Sequence, residues 1–174
     1  MDSDILIVGG GLNGPCLALA LSQAGLTSTV IDALPVETSD NDRFDGRSYA
    51  LALASARLLM AIGVWDDVKA NAQPMLEIKA SDGRAGEGPA PFFLHFDHAE
   101  IEEGPMGYML EDRFLRHALL ARMQADPNIT HLPGTRVIAQ DTSGPAIVTL
   151  EDGRTLTGRL LVGADGRQSG TGAR

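Results

Sequence analysis

The chain has 174 residues, 44% hydrophobic and 21% charged, enough for one globular domain with a sizeable core. Net charge is −9, from 14 Lys+Arg against 23 Asp+Glu, and the lysines are Lys69 and Lys79 alone. A chain without a basic stripe is not expected to bind nucleic acid, and its apolar runs fall far short of the ~18 residues a membrane-spanning helix needs.

In chain order, Ile5-Leu6-Ile7-Val8 is a continuous aliphatic run, as expected of a strand buried on both faces of a parallel sheet. Gly9-Gly10-Gly11-Leu12-Asn13-Gly14 follows, and Pro15 to Ala24 predicts a helix with Gly25 as its stop. Thr27 to Ile31 predicts a second strand, closed by Asp32. Leu34 to Gly46 is polar and predicts a loop; Tyr49 to Ile62 predicts a helix stopped by Gly63. Between Met75 and Leu110 the texture turns to short strands and loops, with a turn at Asp82-Gly83 and a strand over Met106 to Leu110.

Glu111 to Ala125 predicts a helix with Phe114, Leu115, Ala118, Leu119 and Met123 on its apolar face. Asn128 to Leu132, Arg136 to Gln140 and Ala146 to Leu150 predict strands, and Asp152-Gly153 marks a turn. Arg159 to Val162 repeats the buried-strand texture and enters Gly163-Ala164-Asp165-Gly166.

Gly9, Gly11 and Gly14 fit the G-x-G-x-x-G spacing of a dinucleotide-binding turn. The first glycine permits the tight turn, the second lets backbone approach a pyrophosphate, and the third lets helix and strand pack closely. The helix that follows aims its free N–H groups and positive dipole end at the phosphates. Asp32, 18 residues beyond Gly14, is placed to accept hydrogen bonds from a ribose, and its charge opposes a 2′-phosphate. This pattern alone leaves NAD and FAD both open.

Three later segments recur in this order in one family: Asp45-Gly46-Arg47-Ser48-Tyr49-Ala50-Leu51, Glu111-Asp112-Arg113-Phe114-Leu115, and Leu161 to Ser169 with its Asp165-Gly166 pair. With the first motif they resemble the FAD-dependent aromatic hydroxylases of the p-hydroxybenzoate hydroxylase type. More narrowly, they are similar to the bacterial ubiquinone-biosynthesis hydroxylases that act on polyprenylated phenols.

The resemblance implies an α/β fold: a Rossmann-like FAD-binding domain, with a central parallel sheet, helices and a β-meander, plus part of a β-rich substrate region. It divides the chain into FAD-binding residues 1–74 and 108–174 and a substrate-domain excursion over 75–107. Gly9, Gly11, Gly14 and Asp32 match the family's ADP-binding fingerprint. Arg47 matches an arginine near the FAD pyrophosphate and flavin, and Arg113 another FAD-contacting position. Val137 falls where the family's backbone passes the adenine, and Asp165 and Gly166 match a motif serving FAD and NAD(P)H. The implied activity is reduction of FAD by NAD(P)H and use of O₂ to hydroxylate an aromatic ring, with the redox chemistry belonging to the cofactor. No catalytic acid or base is assigned.

Two departures stand out. The family's usual Glu at the end of the second strand is the shorter Asp32, and an Arg common three residues beyond Ser169 is replaced by Gly172. Family members also run on for about as many residues again, so the chain reads as the N-terminal piece of a longer enzyme, inactive alone and retaining FAD weakly. The implied location is cytoplasmic, with peripheral association at the inner membrane or in a biosynthetic complex left open by a lipid-like substrate. A lone cysteine, Cys16, and no basic segment ahead of the first apolar run agree with a reducing compartment and no secretory signal.

The alternatives are another FAD-fold oxidoreductase, such as a prenyl-lipid reductase or halogenase, an NAD-dependent dehydrogenase, or a non-catalytic escort that binds prenylated protein. The single tryptophan, Trp65, disfavours a halogenase, and the later arginines and Asp165-Gly166 disfavour the dehydrogenase. His95 and His98, with Asp97 and Glu100, are spaced too loosely to be read as a metal site. Cys16 reads as a small core residue, Trp65 as packing after a helix stop, and Ser48 and Ser169 lack a nucleophile elbow.

Overall fold

The computed structural model describes residues 1–36, 44–100 and 103–173. The centre of the fold is a four-stranded sheet of β1 (Ile5–Val8), β2 (Ser28–Ile31), β8 (Ile129–Leu132) and β12 (Leu160–Gly163). Its order is β12-β1-β2-β8, and every neighbouring pair runs parallel. Helix α1 (Asn13–Gln23) connects β1 to β2.

The aliphatic run of β1 is explained by the layers above and below it. Ile7 and Val30 face one core, shared with Ala18 and Leu19 of α1 and with Leu115, Leu119 and Met123 of α4 (Asp112–Ala125). Leu6, Val8 and Ile31 face a second core. That core is closed by Val137, Ala146, Val148 and Leu150 of an antiparallel meander, β9 (Val137–Asp141), β10 (Ala146–Leu150) and β11 (Thr155–Gly158). Alternate residues therefore enter opposite cores, and both faces of the strand need apolar side chains. Strand β12 lies at the sheet edge, so Leu160 is exposed despite the buried-strand texture of its sequence.

The helix expected from Tyr49 is corrected at its start. Ser48–Ala52 forms strand β3, and the helix, α2, runs over Leu53–Ala61. Strand β7 (Gly107–Glu111) pairs antiparallel with β3 and with β4 (Gln73–Met75), so Glu111 ends a strand rather than opening α4. Backbone pairing with β7 overrides the helix propensity of an alanine-rich segment. Helix α3 (Trp65–Val68) follows, and the Trp65 ring meets Tyr108 edge-on at 4.7 Å.

Strands β5 (Glu77–Arg84) and β6 (Gly88–Asp97) form a separate two-stranded ribbon. Its turn falls after Arg84, and the expected turn at Asp82-Gly83 is instead a register shift inside β5. A bulge can use the same glycine that a turn would. Of the loop expected over Leu34 to Gly46, residues 37–43 lie outside the described residues.

Candidate dinucleotide site

At the carboxyl ends of β1, β2 and β12 the backbone is drawn into one close-packed turn. Gly9 N donates to Ile31 O at 2.8 Å, and Ala164 N donates to Val8 O at 2.7 Å. Gly9 has φ +115°, and a Cβ there would collide with the Ala164 carbonyl oxygen and stand 2.7 Å from Asp165 N. A Cβ on Gly14 would run into the carbonyl oxygen of Gly9, with Ile7 Cγ2 3.5 Å away. A Cβ on Gly10 would collide with the Asp32 carboxylate. Gly11 differs: nothing lies within 4 Å of the position its Cβ would take.

These glycines open onto a cavity of about 470 Å³. Of the residues expected at the site, Gly9, Gly11, Asp32, Val137, Asp165 and Gly166 line it, and Gly14 lies behind them against Gly9. Asp32 accepts a hydrogen bond from Leu34 N through Oδ1 at 3.0 Å, which holds the turn after β2. The Asp165 carboxylate is occupied by its own turn. Oδ1 accepts from Ser169 Oγ at 2.6 Å, and Oδ2 accepts from both Thr171 N and Thr171 Oγ1 at 3.0 Å. Burial would raise the Asp165 pKa, but these donors outweigh it and hold the carboxyl below its ordinary value.

Arg47 and Arg113 are not among the cavity's lining residues. Arg113 donates to Glu111 Oε2 at 2.7 Å, lies over the Phe114 ring, and borders an open concavity along α4 with His117 and Arg122. Arg47 reaches the region indirectly, donating to Asp112 Oδ2 at 3.2 Å and to Asp45 Oδ2 at 2.7 Å.

Asp112, Arg116 and Gly10 have no assigned role in the sequence motifs and gain one from the fold. Asp112 is buried, and its carboxylate accepts from Arg47 Nη2, Tyr49 Oη, Arg116 Nε and Arg116 Nη2. Burial would raise the Asp112 pKa; the bonds from Arg116 and Tyr49 and the two guanidinium charges overcome that and lower it. Arg116 lines the cavity. Helical spacing was the available signal, because Asp112 and Arg116 stand four apart on one face of the predicted helix. Arg136 and Gln168 also line the cavity, and His131 borders a small recess beside Asp32. Burial pushes the His131 pKa down, and the Asp32 charge opposes that only in part.

Among the described residues, no cluster of His, Cys, Asp and Glu could hold a metal ion, and no helix is long and apolar enough to cross a membrane. His95 pairs with Glu77, and His98 meets the Leu76 carbonyl oxygen and Asp97.

A family model described as FAD binding domain matches residues 2–174. The chain is 46% identical over 169 residues to ubiquinone hydroxylase UbiL of Rhodospirillum rubrum, covering 96% of this chain and 38% of that protein. It is 33% identical over 170 residues to the 3-demethoxyubiquinol 3-hydroxylase of Escherichia coli, covering 96% of this chain and 42% of that one. Among solved structures, a PqsL mutant of P. aeruginosa superposes with TM-score 0.78 at 27% identity, covering 99% of this chain and 45% of that chain. The flavin-dependent monooxygenase PieE, solved with FAD and substrate, shares the fold with TM-score 0.75 at 22% identity, over 97% of this chain and 31% of its own. The chain thus spans about two fifths of the length of the curated relatives it matches.

Proposed function

This chain belongs to the FAD binding domain family, and on that premise we propose that it forms the ADP-binding side of the flavin site in a monooxygenase. The reaction is hydroxylation of an aromatic ring with NAD(P)H and O₂. The observation that carries the proposal is the convergence of Gly9-Gly10-Gly11 and Ala164-Asp165-Gly166, from opposite ends of the chain, on one cavity that Asp32 also lines.

The residues present fit an adenosine diphosphate. Gly9, Gly10 and Gly14 are required by the protein's own packing, whereas Gly11 leaves open space at the N-terminus of α1. Free N–H groups and the positive end of a helix dipole favour a phosphate in such space. Asp32 would accept from a ribose hydroxyl, Val137 and Arg136 would border the adenine, and Asp165 would hold the turn that presents Gly166. Arg47 would serve the pyrophosphate and flavin side, and Arg113 remains a proposed contact by resemblance, away from this cavity.

Bound FAD would supply the redox chemistry, taking reducing equivalents from NAD(P)H and activating O₂. The protein's own part is to bind, orient and exclude water. The names of the ubiquinone hydroxylases it matches support a polyprenylated phenol as substrate. We assign residues 75–107 to the substrate region; support comes from a ribbon that forms a sheet of its own, with one apolar face. A lipid-like substrate would bring the enzyme, read as cytoplasmic, into peripheral contact with the inner membrane.

Titration of the chain with FAD, followed by flavin fluorescence, tests the cofactor; binding of NAD in preference to FAD overturns the proposal. Deletion of the coding sequence in its host, with mass spectrometry of the quinones, tests the reaction. The expected result is a prenylated precursor one oxygen atom short of its hydroxylated product.

A further inference from the structure

We propose that Arg116, clamped by Asp112, is a side-chain ligand of the diphosphate, and that Asp112 is the residue that positions it. The inference rests on the FAD reading above and deepens it. Arg116 Nε donates to Asp112 Oδ2 at 3.1 Å and Nη2 donates to Oδ1 at 2.8 Å, a side-by-side pair one helical turn apart on α4. The two side chains are 17% and 6% exposed, so the pair is largely fixed by packing.

A guanidinium carries five N–H donors in a rigid plane, and this pairing uses only one edge of it. Arg116 Nη1 has no partner among the described residues, and Arg116 lines both the glycine cavity and the recess holding Gly10, Gly11 and Asp32. The cation therefore stands where the turn leaves room without a Cβ. Asp112 divides its two oxygens among Arg116, Tyr49 and Arg47, so it holds Arg116 by one edge of the guanidinium and leaves the other edge to the cavity. A charge-assisted, forked donor already held in place suits a diphosphate, since little side-chain freedom is lost on binding.

The test titrates the chain with ADP and with adenosine, following melting curves and calorimetry. Arg116→Lys keeps the charge but loses the fork. The double variant Asp112→Asn/Arg116→Gln replaces the ion pair with a neutral pair and so avoids a stranded buried charge. In both, the dissociation constant for ADP should rise roughly tenfold while that for adenosine stays unchanged. Unaltered ADP affinity, or equal weakening of ADP and adenosine, overturns the assignment.

For Asp112, the sign of the effect decides. Asp112→Asn adds net positive charge, so a purely electrostatic site would bind ADP more tightly, whereas loss of positioning weakens it. Tighter or equal binding overturns the positioning role. Asp112→Glu keeps the charge and moves the carboxylate, and it should weaken ADP in the same direction if Asp112→Asn does not fold. A chain that binds neither ADP nor FAD overturns this proposal together with the FAD reading. A chain that binds both, with Arg116 variants indifferent, overturns this proposal alone.

Discussion

Gly9 and Ala164 meet backbone to backbone: a Cβ on Gly9 would strike the Ala164 carbonyl oxygen, while Ala164 N donates to Val8 O at 2.7 Å. The contact exists because β12 returns to pair parallel with β1, with Val8 opposite Gly163. The cavity is therefore a product of tertiary pairing. The glycine turn forms one wall, and Asp165-Gly166 forms another only once the last strand is in place.

The glycines of this turn should separate by substitution. Gly9→Ala combines a positive φ with a backbone collision, and Gly14→Ala drives a methyl into the Gly9 carbonyl. Each should cost about 3 kcal/mol or more and lower the melting temperature by roughly 10 °C. Gly11→Ala meets nothing in the protein, so its melting curve should match the unaltered chain while ADP and FAD binding falls. A Gly11→Ala chain that melts early would show that this glycine, too, serves packing.

Asp112 should govern the acid side of stability. Its folded pKa lies below the ordinary 3.8, so its contribution is fully present above that value and is lost as pH falls through the folded pKa. The melting temperature should be flat near neutrality and drop below about pH 4, and Asp112→Asn should flatten that drop. Asp112→Ala leaves Arg116 without its main partner and should cost about 3 kcal/mol at pH 7. Chemical unfolding at pH 7 and pH 3.5 measures both; equal losses at the two pH values would mean that the carboxylate charge contributes nothing.

What could be read in the sequence follows from how local each feature is. The run Ile5 to Val8 faces cores on both sides, and the spacing of Gly9 and Gly14 reports a local contact, with Gly14 packed on the Gly9 carbonyl. Ser48–Ala52 was legible only through β7, because Ser-Tyr-Ala-Leu-Ala carries an alternating pattern too short to outweigh its helical continuation. The Asp112 cluster was hidden for the same reason. The pairing of Ser48 with Glu111 brings Arg47 and Tyr49 to the start of α4, and no local pattern announces it. The motif points to Arg113, yet of the arginines on this helix it is Arg116, one position past the motif's end, that lines the cavity.

Cys16 should be inert in the folded chain. Burial raises its thiol from the ordinary 9.0 to about 11, which lowers the thiolate fraction near pH 8 by roughly a hundredfold. Alkylation by iodoacetamide should be slow in buffer and fast in denaturant. Rapid labelling of the native chain would mean that the first helix opens readily from the sheet.

The last prediction concerns the ribbon. Ile78 pairs with Phe96 and Ala80 with Leu94, so β5 and β6 put apolar side chains on one face, which Phe92 extends. Glu77, Lys79 and His95 stand on the other face and pair among themselves, Lys79 with Glu77 at 2.7 Å and His95 with Glu77 at 3.0 Å. Phe92 is 87% exposed and Leu94 65%, so neither contributes much to the stability of the isolated chain. An apolar strand face of this kind binds hydrophobic dyes and promotes association between chains. Phe92→Ser combined with Leu94→Thr should therefore shift stability by only about 0.5 kcal/mol while reducing dye fluorescence and concentration-dependent scattering. If the double variant instead unfolds at lower temperature, these side chains are buried in solution, and the ribbon's apolar face is already covered by another chain.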